Sequence, residues 1–181
     1  WQGHRRNFTI DLLHPGFIFD TPVDIHLVVG GTARQVLFTD KVFEYGLGTA
    51  PMTGVGELGY SGFRVRAPIN RLDYLDEFLV FQGASYFRAV ARDQNYGLSA
   101  RGIALRTARP EGEEFPEFTD FWIERPSPKA SQIVVHALLQ SPSIVGAYTF
   151  TATPGAETLM DVQCALFPRA EIRAYGVAPL T

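Results

Sequence analysis

Residues 83–126 read GASYFRAVARDQNYGLSARGIALRTARPEGEEFPEFTDFWIERP. Two aromatic-rich strand candidates, residues 85–90 and 121–125, bracket a Tyr96-Gly97 turn, a basic strand and an acidic loop broken by proline. No 3.6-residue apolar repeat runs through the stretch, so it predicts sheet and not helix. Its aromatics (Tyr86, Phe87, Tyr96, Phe115, Phe118, Phe121, Trp122) are mixed with Arg88, Arg92, Arg101, Arg106 and Arg109. Carboxylates follow at Glu111, Glu113, Glu114, Glu117, Asp120 and Glu124. Rings interleaved with forked cations and acceptors suit a polar, flat-faced, hydroxyl-rich ligand better than an apolar one. The candidate site is placed here.

Outward from this stretch the chain keeps the same grammar. Residues 8–14 form a strand closed by Pro15-Gly16, and residues 23–29 alternate Val23, Ile25, Leu27 and Val29 against Asp24 and His26. That is the pattern of a half-buried antiparallel strand. Gly30-Gly31 turns it into residues 34–38 as a hairpin. Residues 44–62 are glycine-rich and read as a long surface loop. They include Gly54-Val-Gly56-Glu-Leu-Gly59, which matches the dinucleotide glycine fingerprint in form only, because no strand leads in and no helix follows. Residues 63–66 alternate as a strand. Residues 70–80 alone show helical spacing, through Leu72, Leu75, Phe78 and Leu79, and read as a short helix or as a helical turn entering a strand. Residues 132–139, 147–152 and 157–167 are further strands, with Ser141-Pro-Ser and Pro154-Gly155 as turns. Ten or eleven strands at short intervals predict an all-β antiparallel sandwich, since parallel sheets need long crossovers.

The bulk numbers fit one globular domain: 181 residues, 46% hydrophobic and 19% charged. A net charge of −3 argues against a nucleic-acid surface. The single cysteine, Cys164, excludes an intrachain disulfide, and its place in a strand predicts a buried, inert thiol. No apolar run reaches the length of a membrane span. The chain opens at Trp1 and closes at Thr181 as though both ends were cut, which reads as a piece of a longer protein. Such a piece exposes apolar sheet edges and is expected to aggregate or pair with itself as a homodimer.

Each chemical feature has a plainer alternative. The histidines His4, His14, His26 and His136 show no metal-ligand spacing and read as solvated or core groups. Glu113 and Glu114 are the most suggestive acids, but neighbours in an extended loop point opposite ways. They suit a solvated loop, or ion pairs to Arg101 or Arg106, better than an acid–base couple spanning a sugar. Arg101 lies between glycines, which let a ligand or another backbone approach, or else it forms a structural ion pair. Tyr86, Tyr96 and Trp122 read equally as sugar-stacking rings and as core aromatics whose polar tips find partners.

Residues 83–88 (GASYFR), 96–102 (YGLSARG), 113–116 (EEFP) with Phe121-Trp122, and 176–181 (GVAPLT) resemble the periplasmic glucan biosynthesis proteins, the MdoG/OpgG and OpgD group. Residues 17–22 (FIFDTP) and 58–63 (LGYSGF) fit the same pattern, so the likeness runs from about Phe8 to Thr181. The resemblance implies a periplasmic protein of Gram-negative bacteria acting on osmoregulated glucans with a β-1,2-linked backbone. It implies a large sandwich of the galactose-mutarotase-like supersandwich type, followed by a smaller immunoglobulin-like domain. This chain would supply only the N-terminal part of that sandwich. The group is similar to β-1,2-glucan hydrolases whose acid and base carboxylates lie further along, so no catalytic residue, metal or cofactor is expected within residues 1–181. What carries over is a share of the sugar cleft: Tyr86, Arg88, Tyr96, Ser99, Arg101 and Trp122. The alternative is a non-catalytic carbohydrate-binding or scaffold protein for the same glucan.

Overall fold

In a computed structural model the protein is described for residues 7–39, 42 and 58–181. Most of the glycine-rich loop expected at 44–62, most of its glycine fingerprint (all but Leu58 and Gly59) and His4 lie outside the described residues. Among the described residues there are thirteen strands and no α-helix. A five-stranded sheet runs β1 (Thr9–Leu13), β4 (Gly62–Ala67), β5 (Asp76–Gln82), β6 (Tyr86–Ala89), β7 (Ala100–Arg101). A six-stranded sheet runs β12 (Leu159–Pro168), β11 (Ile144–Thr153), β10 (Ile133–Gln140), β9 (Glu117–Glu124), β2 (Asp24–Val29), β3 (Thr32–Gln35). A short pair, β8 (Ile103–Leu105) with β13 (Tyr175–Val177), stands beside them. The molecule is an all-β sandwich, as its sequence predicts.

The core follows from the two-residue period of each strand. β10 buries Ile133, Val135, Ala137 and Leu139 and turns Val134, His136 and Leu138 away, as the alternation predicts. The inner faces meet through phenylalanines. Phe81 of β5 lies 5.4 Å from Phe121 and 5.0 Å from Phe150, and Phe87 lies 5.0 Å from Phe150. Edge-on and tilted packings dominate, the arrangement that quadrupolar rings prefer. Deleting any one of these rings to alanine would cost about 3–5 kcal/mol.

Three expectations need correction. First, β2 is antiparallel to β3 but parallel to β9. A parallel neighbour needs only a long return path, and here the chain from β3 through β8, with four of the five strands of the other sheet, provides it. Second, the helix reading of residues 70–80 fails and its alternative, a turn entering a strand, holds: residues 70–75 form turns, and the strand β5 begins at Asp76. Of the apparent helical face, Leu72 is fully exposed whereas Phe78 and Leu79 are completely buried in the sheet. Third, Cys164 is exposed. It sits opposite buried Tyr148 on the inward row, but β12 is the edge strand and nothing among the described residues covers it. Among the described residues no helix is long and apolar enough to cross a membrane.

Candidate functional site

The outward face of the five-stranded sheet carries the polar band that the sequence suggested, with additional members. In β4 the inward Phe63 and Val65 force Arg64 to the outer side. There it pairs across the strands with Asp11 of β1 and Val80 of β5. Arg64 Nε donates to Asp11 Oδ2 at 2.9 Å, and Arg64 Nη1 donates to Glu77 Oε2 at 2.8 Å. Arg66 Nε approaches the same Asp11 oxygen at 2.8 Å. Burial works against the Arg64 charge, yet its bonds to Glu77 and Asp11 outweigh this and hold the guanidinium above its ordinary pKa.

The other end of the band is built from β6 and the loop that follows it. β6 turns Phe87 inward and Arg88 outward. The loop folds Tyr96 back across it, so the Arg88 guanidinium lies 4.5 Å from the centre of the Tyr96 ring. The Tyr96 hydroxyl donates to Glu77 Oε1 at 2.6 Å. Burial first, then this bond, raises the phenol well above its ordinary pKa, and the group stays a donor. Asp11, Arg64, Glu77, Tyr96 and Arg88 thus form one continuous chain of contacts across four strands' width.

Arg101 closes the band at β7. It stands opposite Tyr86 of β6 and lies 5.7 Å from that ring and 5.4 Å from the ring of Phe115. Its Nη1 donates to Glu113 Oε1 at 2.5 Å, while its buried Nε has no partner. Arg101 is only 5% exposed, so it supports the band from beneath and does not present itself to a ligand. Ser99 exchanges backbone hydrogen bonds with Thr181, at 3.1 and 2.9 Å, beside β7.

Five of the six sequence-derived residues (Tyr86, Arg88, Tyr96, Ser99 and Arg101) therefore share one region. Trp122 does not. It lies on the outer face of the other sheet, stacked on His26 at 5.3 Å and paired in register with His136. Sequence reasoning missed Asp11, Arg64 and Glu77. Their only signal is that each is a charge at an outward position of an alternating strand, and it takes the strand order to bring them together.

The acidic loop has a structural role. Glu113 serves Arg101, and Glu114 accepts from the Ser143 amide at 2.9 Å, the Ser143 hydroxyl at 2.7 Å and Arg106 at 3.2 Å. These bonds tie the loop before β9 to the β10–β11 turn. Both carboxylates are engaged in these structural contacts.

A mostly antiparallel sandwich with an ion-paired, tyrosine-bearing outer face defines a class: an all-β protein with a polar strip across one sheet. The family is given by comparison with known proteins. The chain belongs to the family described as "Periplasmic glucan biosynthesis protein, MdoG", whose family model matches residues 1–181. It is 49% identical over all 181 residues to "Glucans biosynthesis protein G" of Rhodopseudomonas palustris (strain BisA53), covering 36% of that protein. It is 46% identical over its whole length to the proteins of the same description from Shewanella frigidimarina (strain NCIMB 400) and Vibrio cholerae serotype O1 (strain ATCC 39541 / Classical Ogawa 395 / O395). It covers 32% and 33% of them. The chain thus spans about a third of the length of these curated relatives.

Proposed function

We propose that this chain is the N-terminal portion of the large sandwich domain of a periplasmic protein of glucan biosynthesis. In this reading the outer face of its five-stranded sheet holds the glucan. The rest of the sandwich and an immunoglobulin-like domain belong to the remainder of the protein. The ligand is an osmoregulated glucan with a β-1,2-linked backbone. The observation that carries the reading is the Arg88–Tyr96–Glu77–Arg64–Asp11 band. It presents guanidinium donors and a phenol in a fixed array, and a row of fixed donors recognises sugar hydroxyls.

The state of the carboxylates favours binding over bond cleavage by this portion. Asp11 and Glu77 are both held in arginine pairs. Glycoside cleavage requires one protonated and one ionised carboxyl set across the sugar. The family resemblance implies that the acid and base carboxylates lie further along the protein, beyond Thr181, and a non-catalytic glucan scaffold is the alternative. The test is affinity for β-1,2-glucan, measured by calorimetry on the full-length protein and its Arg88→Ala and Tyr96→Phe variants. Arg88→Ala should weaken binding about tenfold, the loss of one charge-assisted contact. Unchanged affinity in both variants would remove this face from the reading. A reducing-sugar assay on the same protein separates enzyme from scaffold.

A further inference from the structure

A second feature lies beyond the end of β1, beside the β5–β6 turn, where the chain shows local strain. Gly16 and Phe19 exchange backbone hydrogen bonds at 2.8 and 3.0 Å, leaving Phe17 and Ile18 as a two-residue tip. Phe17 sits at φ 62°, a left-handed conformation costly for a bulky side chain. Phe17 and Ile18 project into solvent, whereas Phe19 turns back. Its ring lies against Gly83, where an added Cβ would stand 2.7 Å from Phe19 Cε1. Only glycine allows the two turns to close together in this way.

Between this tip, the β5–β6 turn and the start of β9 is a cavity of about 210 Å³. Its apolar wall includes Phe19, Phe118 and Phe121, and its polar groups include Asp20, Gln82 and Glu117. The carboxylates of the neighbouring band and acidic loop (Asp11, Glu77, Glu113 and Glu114) are already engaged. Those of Asp20 and Glu117 form no hydrogen bond or ion pair among the described residues. Tyr86 lines the cavity and also stands on the Arg88 side of β6, two residues away. Tyr86 is thus the link between the cavity and the face of β6 that bears Arg88.

We propose that this cavity is a subsite for a single pyranose ring at the end of a bound glucan. The ring's C–H face would rest on the aromatic wall, and its vicinal hydroxyls would donate to Asp20 and Glu117, with Ile18 at the rim. The space suits one ring and not an oligomer, and an apolar floor with a few convergent acceptors is the usual make-up of a small-molecule site. The proposal rests on the glucan-binding reading above for the identity of its ligand.

Hydrogen exchange followed by mass spectrometry on the full-length protein, with and without β-1,2-glucan, tests it. Bound glucan should slow exchange at residues 16–21 and 83–86 as well as at 88–96. Asp20→Asn and Glu117→Gln should each weaken glucan affinity about tenfold, since each removes an ionised acceptor. Both should abolish the slowing at 16–21 while keeping it at 88–96. Asp20 is exposed, so its variant remains informative if Glu117→Gln disturbs β9. Protection at 88–96 with none at 16–21, or wild-type affinity in the Asp20→Asn/Glu117→Gln double variant, overturns the cavity while leaving the band intact. Glucan that protects neither region overturns both.

Discussion

Glu114 shows how one side chain can be charged and buried at once. Burial opposes its ionisation, but the hydroxyls of Ser141 and Ser143, the Ser143 amide and the Arg106 charge outweigh that and hold its pKa below the ordinary glutamate value. A depressed folded pKa means that the unfolded chain binds the extra proton first as acid is added. The stability from Glu114 is therefore complete above about pH 4.3 and fades as pH falls through the folded value. Glu114→Gln should lose about 1–3 kcal/mol at pH 7 in urea unfolding, because Ser143 and Arg106 lose their ionised acceptor. It should also show a shallower decline in acid than the parent; an identical acid slope would exclude Glu114 as the titrating group. Gly62 is constrained by space instead of charge. A Cβ there would lie 2.1 Å from the Phe81 carbonyl oxygen, a backbone atom that cannot swing aside. Gly62→Ala should therefore cost on the order of 3 kcal/mol or prevent folding, read as a drop in thermal midpoint.

Among the elements, β12 is the unusual one. Its inward row of Met160, Val162, Cys164 and Leu166 continues the buried row of Ala152, Phe150, Tyr148 and Gly146 on β11. Yet Val162 is 40% exposed and Cys164 is open. A thiol reagent should label Cys164 in the folded chain almost as fast as in urea; strong protection at low concentration would contradict this placement. An uncovered apolar row on an edge strand also favours self-pairing. The isolated chain should show concentration-dependent association by light scattering, and Val162→Lys should reduce it. The comparison also marks what a strand's sequence can tell. The alternation in β10 was readable because burial of one face writes a two-residue period, whereas in β2 it held at Ile25 but not at Val29, which is exposed. The exposure of Cys164 was not, because a strand's own residues do not say whether another sheet lies over it. Residues 70–80 misled for a related reason. Leu72 happens to fall in helical register with Phe78 and Leu79, but a turn at residues 70–75 separates them. At the site, the local cluster of Tyr86, Arg88, Tyr96, Ser99 and Arg101 was legible within a short stretch. Asp11, Arg64 and Glu77 reach it only through strand pairing.

Across the whole molecule, the two outer faces are chemically different. One bears the arginine–carboxylate band, and the other carries a transverse row of Gln35, His26, Trp122, His136, Thr149 and Gln163 in register across six strands. Two packed sheets lie between them, so a ligand bound on one face does not touch the other. Trp122→Phe should therefore leave glucan affinity unchanged within twofold, whereas Arg88→Ala should not. A loss of affinity in Trp122→Phe would place the glucan on the second face. The parallel join of β2 to β9 has a consequence in time. Its partners stand about a hundred positions apart in the chain, as with Ile25 and Phe121. The earliest hairpin made during synthesis thus has no sheet to join until the intervening strands have emerged and folded. Assembly must close a long loop late, which makes it slow, and leaves that first hairpin dependent on holding factors or on speed to avoid wrong partners.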